Sequence, residues 1–250
     1  MASLLLDLAI LLLAAFVPSL IYLIWIRNTE RFSREPYGRL LRIFIFGATM
    51  SVFVAVLVEF LLIYLLEDNI ERVYDILGND PNLGNLLLAV VIAPFVEEFA
   101  KALGILGSRR FIKELEDGIV FGAAAGLGFA ATENLLYEST AYFSDGVEAF
   151  IAITVVRSIS SALLHASASA VAGLGIARSW LAKTGWTGYY LLAVLMHGLF
   201  NLAASAGPYL ESDLGESAYL VGLMAAIIIA AMSISLIRSK IRALDSGSAR

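Results

Sequence analysis

Residues 87–106 read LLAVVIAPFVEEFAKALGIL. This stretch has the length and apolar character of a helix that crosses a bilayer, which takes about 20 residues. Yet it carries Glu97, Glu98 and Lys101. Each charge at the centre of a membrane helix costs roughly 2.5–3.5 kcal/mol on insertion scales, about 7–10 for the three together. A segment keeps such groups when they face inward and meet partners there.

Outward from this segment the pattern repeats. The chain has 250 residues, 60% of them hydrophobic, and the apolar residues fall in long blocks at about 3–26, 41–66, 86–106, 118–138, 147–177, 188–206 and 218–237. Blocks of this length predict an all-α polytopic membrane bundle of seven helices, one domain over residues 1–250. The short alternating segments of a β-barrel are absent. The first block reads as a signal anchor: its apolar run is long, Asp7 is its only early charge, and Arg27 follows it. With no cysteine in the chain, disulfide and thiolate chemistry are excluded. Residues 109–117, RRFIKELED, read as a short helix lying at the interface.

The net charge of −5 hides a sorting by loop. Of the 17 Lys and Arg residues, fourteen fall in the first, third and fifth loops and the tail. These are Arg27, Arg31, Arg34, Arg39 and Arg42, then Arg109, Arg110 and Lys113, then Arg178 and Lys183, then Arg238, Lys240, Arg242 and Arg250. The alternate loops are acidic, with Arg72 their only cation. The positive-inside rule predicts a multi-pass cell-membrane protein with its N-terminus outside and its C-terminus in the cytoplasm. Clustering of this kind needs no nucleic-acid partner.

Four blocks carry ionisable groups at similar depth. The third has Glu97, Glu98 and Lys101; the fourth has Glu133 within FAATENLLY; the fifth has Arg157 and His165; the sixth has His197 and Asn201 within HGLFN. Both histidines of the chain are therefore mid-membrane. Helical spacing pairs Glu97 with Lys101 four residues on and leaves Glu98, about 100° around, for other work such as general base catalysis. Arg157, Ser161, His165 and Ser169 form one stripe, His197 and Asn201 another, and each must turn inward. Gly118, Gly122 and Gly126 give the fourth helix a close-packing face. Buried ionisable groups converging from several helices mark a site. Two imidazoles and a carboxylate form a ligand set for a catalytic divalent metal, zinc above all, with His165, His197 and Glu133 as the expected ligands, Glu97 or Glu98 as alternatives for the carboxylate, and a further carboxylate as base. In a metal-free version a glutamate activates water, and a histidine with Asn201 stabilises the oxyanion. Either version hydrolyses an acyl bond. In both, Lys101 and Arg157 support the site or the substrate.

EEFAK at 97–101, FAATENLLY at 129–137, the histidine of the fifth block with an arginine eight residues before it, and HGLFN at 197–201 together resemble the PrsW family of intramembrane proteases. That family is related to the CAAX-prenyl endopeptidases and the bacteriocin-processing membrane proteases. The resemblance covers about residues 86–206, the expected catalytic core. It implies a metal-dependent membrane endopeptidase whose functional residues are Glu97, Glu98, Glu133, His165 and His197. It further implies a membrane-anchored, single-span protein substrate, the family's best-known one being an anti-sigma factor cleaved on its extracytoplasmic side. The CAAX-type relatives usually carry a histidine where this chain has Glu133, so their prenyl specificity is not carried over. Two other readings compete. An ion- or proton-coupled transporter would use the same buried groups as a relay, but the chain shows no inverted repeat. A non-catalytic scaffold binding a partner helix through the glycine face would leave the ionisable cluster without a role.

Overall fold

The computed structural model describes residues 2–67 and 81–248; the acidic loop expected at 68–80 lies outside them, as does Arg250. Every described element is helical. Helix α1 spans Ala2–Arg27, α2 Tyr37–Phe46 and α3 Val52–Glu67, the last two joined by a π-helical turn at Gly47–Ser51. Then α4, Pro81–Leu87, passes through a second π-turn at Leu88–Ile92 into α5, Ala93–Ser108. Helix α6 covers Leu115–Ser144, α7 Val147–Ile159, α8 Ser161–Ala182, α9 Thr187–Ala204, α10 Gly207–Leu214 and α11 Ser217–Ser248. Six helical runs among the described residues are long and apolar enough to cross a membrane. The run through 81–108 carries Glu97, Glu98 and Lys101.

Two expectations are corrected. The interfacial helix expected at 109–117 is one 3₁₀ turn, Arg109–Phe111, after which Glu114 caps α6. Asp117 Oδ2 accepts the backbone N–H groups of Lys113 and Glu114 at 2.7 and 2.9 Å, so these polar residues start a buried helix instead of lying on a surface. The fifth block is also not one straight helix. It breaks at Ser160 (φ −118°, ψ −72°), whose hydroxyl donates back to the Val156 carbonyl at 2.7 Å.

Helix α6 is the central post. Its residues from Glu116 to Ala131 are buried without interruption, and it meets α1, α2, α5, α7 and α8. The largest helix–helix contact is with α8. There the glycine face expected from the sequence finds its counterpart. A Cβ on Gly118 would strike the Gly173 carbonyl, one on Gly122 the Ser169 carbonyl, and one on Gly126 the His165 carbonyl. Backbone therefore lies against backbone, the close approach that small residues permit in lipid.

At one end of the bundle the first loop, the start of α6 and the end of α11 join. Asp245 accepts the N–H groups of Arg31 and Phe32 at 2.8 and 3.2 Å, and Ser33 donates to Glu114 at 2.7 Å. Three of the basic segments are thus neighbours in space. Inside this joint Glu30 is fully buried with one carboxylate oxygen lacking a hydrogen-bond partner. Loss of hydration, reinforced by the negative charges of Asp117, Glu35 and Glu116, pushes its carboxyl from 4.5 up to about 8. A raised folded-state value means that the contribution to stability is complete below pH 4.5 and lost as pH rises towards 8. Glu30→Gln is expected to remove this slope from the melting temperature measured across pH 5–9 in detergent. An unchanged slope would show that Glu30 is not its source.

Candidate active site

Helix α5 brings three charges to one inward face. Lys101 Nζ donates to Glu97 Oε2 at 3.1 Å and to Glu98 Oε1 at 2.9 Å, and it lies 4.1 Å from the centre of the Phe129 ring. The i,i+4 pair is the expected one. The i,i+3 pair forms as well, because both spacings place partners side by side on a helix and the lysine stem is long. Glu98 is consequently not free. Ser169 donates to its Oε2 at 2.9 Å, and His197 Nδ1 donates to its Oε1 at 3.1 Å. Beside Lys101 on its own helix, this fully buried carboxylate is met by Ser169 of α8 and His197 of α9, so it ties α5 to both.

The two histidines meet as expected, with ring centres 4.7 Å apart and planes inclined at 77°. Each ring has one nitrogen held by a carboxylate and the other turned towards Glu97. His165 Nε2 lies 2.8 Å from Glu133 Oε2, leaving Nδ1 4.0 Å from Glu97 Oε2. His197 Nδ1 is held by Glu98, leaving Nε2 3.9 Å from the same Glu97 oxygen. A carboxylate beside the outer nitrogen is the usual support of a metal-ligating histidine; the inner nitrogen of His165 meets Lys101 Nζ at 2.8 Å. Ligand atoms of Glu97, His165 and His197 all lie within 4.8 Å of one another. These three side chains could hold a metal ion.

Glu133 stands at the edge of the cluster, 23% exposed where Glu98 is 0%. Its Oε2 also lies 2.9 Å from an Arg157 nitrogen. Both approaches are off the hydrogen-bonding axis, so the contacts are electrostatic rather than aligned bonds. Arg157 is itself fixed. Its Nε donates to Asn134 at 2.8 Å, a second nitrogen donates to Ser161 at 3.0 Å, and the guanidinium sits 3.9 Å over the Tyr137 ring. The break at Ser160 falls between Arg157 on α7 and His165 on α8, so the two reach Glu133 from separate helices.

Asn201 shares the inward side of α9 with His197, but its amide donates to the Ala89 carbonyl at 2.7 Å. That carbonyl belongs to the second π-turn, where one extra residue per turn disturbs the regular backbone ladder; such turns are frequent at functional sites. Asn134 and the Ala89 carbonyl were not legible beforehand. For Asn134 the signal was its place beside Glu133 in an otherwise apolar helix. A main-chain carbonyl gives no signal in sequence.

A buried carboxylate and two imidazoles gathered inside a helical membrane bundle are compatible with a catalytic site. Residues 35–232 match the family described as PrsW family intramembrane metalloprotease, and the chain belongs to that family. It is an intramembrane protease of the metallopeptidase class. Among curated relatives it is similar to Protease PrsW of Clostridioides difficile (strain 630), 29% identical over 202 residues, covering 76% of this chain and 77% of that protein. It is also similar to Protease PrsW of Geobacillus kaustophilus (strain HTA426), 26% identical over 195 residues, covering 76% and 78% respectively. No solved structure matches the chain.

Proposed function

We propose that this protease hydrolyses a peptide bond of a membrane-anchored, single-span protein, an anti-sigma factor by analogy with the family role. Its centre is a divalent metal, zinc, held by Glu97, His165 and His197. The observation that carries the assignment is the convergence of two imidazole nitrogens on one Glu97 oxygen, 4.0 and 3.9 Å away, with each ring held from behind by its own carboxylate. In this reading Glu133 and Glu98 are the supporting carboxylates, and Arg157 holds Glu133 in place. Two imidazoles and a carboxylate suit zinc. The metal would supply Lewis acidity towards the peptide carbonyl and a bound water of lowered pKa. The chain's own part is to bury the donors, orient the His197 ring through Glu98, set Glu133 beside the His165 ring and leave Glu133 as the edge that water and substrate reach.

The test is cleavage of a single-span reporter in detergent, with metal content measured on the same samples. Exhaustive chelation is expected to abolish cleavage, and zinc to restore it with about one ion per chain. Full cleavage by protein shown to be metal-free would sink the metal assignment and leave the metal-free glutamate reading. An intact reporter under every condition would favour a transporter or scaffold.

We also propose seven spans, with the helical run through 81–108 as the third, the N-terminus outside and the C-terminus cytoplasmic. The segregation of basic loops supports this. So does the course of α1 towards the joint at which α11 ends. Accessibility tags at the two termini are expected to report opposite sides of the membrane; tags on one side would remove a span from the count.

A further inference from the structure

Lys101 raises a question that the metal assignment does not answer. Its side chain is fully buried, and its Nζ lies 2.8 Å from His165 Nδ1 and 3.1 Å from Glu97 Oε2. Those two atoms are themselves 4.0 Å apart. A zinc ion bonded to both, at about 2.0–2.1 Å from each, has to sit close to the midpoint between them. From the distances just given, Nζ lies about 2.2 Å from that same midpoint, a bonding distance for a metal and an impossible one for a second cation carrying three hydrogens. The lysine therefore does not stand beside the metal position. It fills it, donating to His165 Nδ1 through the lone pair the metal would use.

We propose that Lys101 is a built-in counter-cation whose ammonium and the metal occupy one position among Glu97, His165 and His197 in turn, so that loading requires the lysine side chain to swing out. This rests on the metal assignment above. The physical reason for such a device lies in the membrane. A cluster of carboxylates and imidazoles buried in lipid without a cation is too costly to assemble, because buried charges need partners. An internal ammonium lets the bundle fold before any metal arrives. It then delays loading, because a site open for only a fraction of the time binds more weakly by that fraction. Among the described residues the other cation near the cluster, Arg157, is pinned by Asn134, Ser161 and the Tyr137 ring.

The experiment compares the full-length wild type with Lys101→Met, purified in detergent, by zinc titration and by thermal unfolding with and without chelator. Wild type is expected to stay folded when zinc is removed, since the ammonium takes over, and to lose fewer degrees of melting temperature than the variant does. Lys101→Met is expected to be stable only with zinc and to bind it about 10-fold more tightly or better, the factor for a site otherwise open a tenth of the time. A variant that stays unfolded even in saturating zinc overturns the proposal, because the metal then does not replace the ammonium. Equal zinc affinity in the two proteins, or loss of zinc from the variant, overturns it as well and leaves the metal assignment standing. Zinc binding to neither protein removes the metal assignment and the proposal together.

Discussion

Glu97→Gln is expected to leave the bundle folded and to lower reporter turnover by about 10³-fold or more, beyond the 10–100-fold that losing a supporting partner costs. Its carboxylate is the point on which both imidazoles converge, and an amide is a poor metal ligand. The fold survives because Lys101 retains Glu98 at 2.9 Å. Glu98→Ala should show the opposite balance. It strips the buried lysine of its shorter ion pair, leaves the Ser169 hydroxyl and His197 Nδ1 without their acceptor, and is expected to cost about 3–5 kcal/mol of stability. Turnover and melting temperature of both variants, measured side by side, separate the two roles. A stable Glu98→Ala with its activity lost, paired with an active Glu97→Gln, would exchange them.

The second large effect is expected from a residue that touches no reactant. Gly126→Val places branched carbons against the carbonyl of His165. Overpacking of this kind costs about 1–3 kcal/mol where the surroundings can shift. Here they can shift only by moving α8, and with it His165, away from Glu133. A displacement near 1 Å in a catalytic constellation can cost about 10²-fold in rate. Cleavage should therefore fall far more than stability does. The matched control is Gly107→Val, at a position where an added Cβ meets nothing within 4 Å. Similar losses at both positions would show that the joint does not hold the histidine in register.

Much of this was legible before any coordinates. The membrane class follows from the long apolar blocks, and the site follows from the cost of burying charge: Glu97, Glu98, Lys101, Glu133, Arg157, His165 and His197 had to find one another because lipid offers them nothing. Their division of labour was not legible. A lysine reaches partners at both i−3 and i−4, so spacing alone could not say that Glu98 is also engaged. Glu133, expected as a metal ligand, lies against the far nitrogen of His165, and ring orientation leaves no mark on a sequence. The π-turn that presents Ala89 to Asn201 has Pro94 just beyond it, which withholds an N–H from the Val90 carbonyl, but a proline marks a disturbed ladder without saying which carbonyl it frees; the break at Ser160 has no proline or glycine beside it. The glycine face of α6 was readable, whereas its counterpart Gly173 becomes meaningful only when α8 is laid against it.

The glycine joint also has a consequence for the order in which the molecule is assembled. Helices α6, α7 and α8 are consecutive in the chain, and α6 and α8 close on each other through their backbones, with no third element between them. This hairpin can therefore zip together soon after its last helix enters the bilayer, since nearby segments close at low entropic cost. It already contains Glu133, Arg157 and His165, a carboxylate with two cationic or protonatable partners that need not wait for the rest. Helix α5, made earlier, must hold Glu97, Glu98 and Lys101 until that hairpin is ready; its i,i+3 and i,i+4 pairs let it carry the charges as a nearly self-contained packet. Helix α9 brings His197 last and completes the cluster. A bundle assembled in this order brings Glu97, Glu98, Glu133, His165 and His197 together only once α9 is in place, so a shorter intermediate in the membrane lacks the complete cluster.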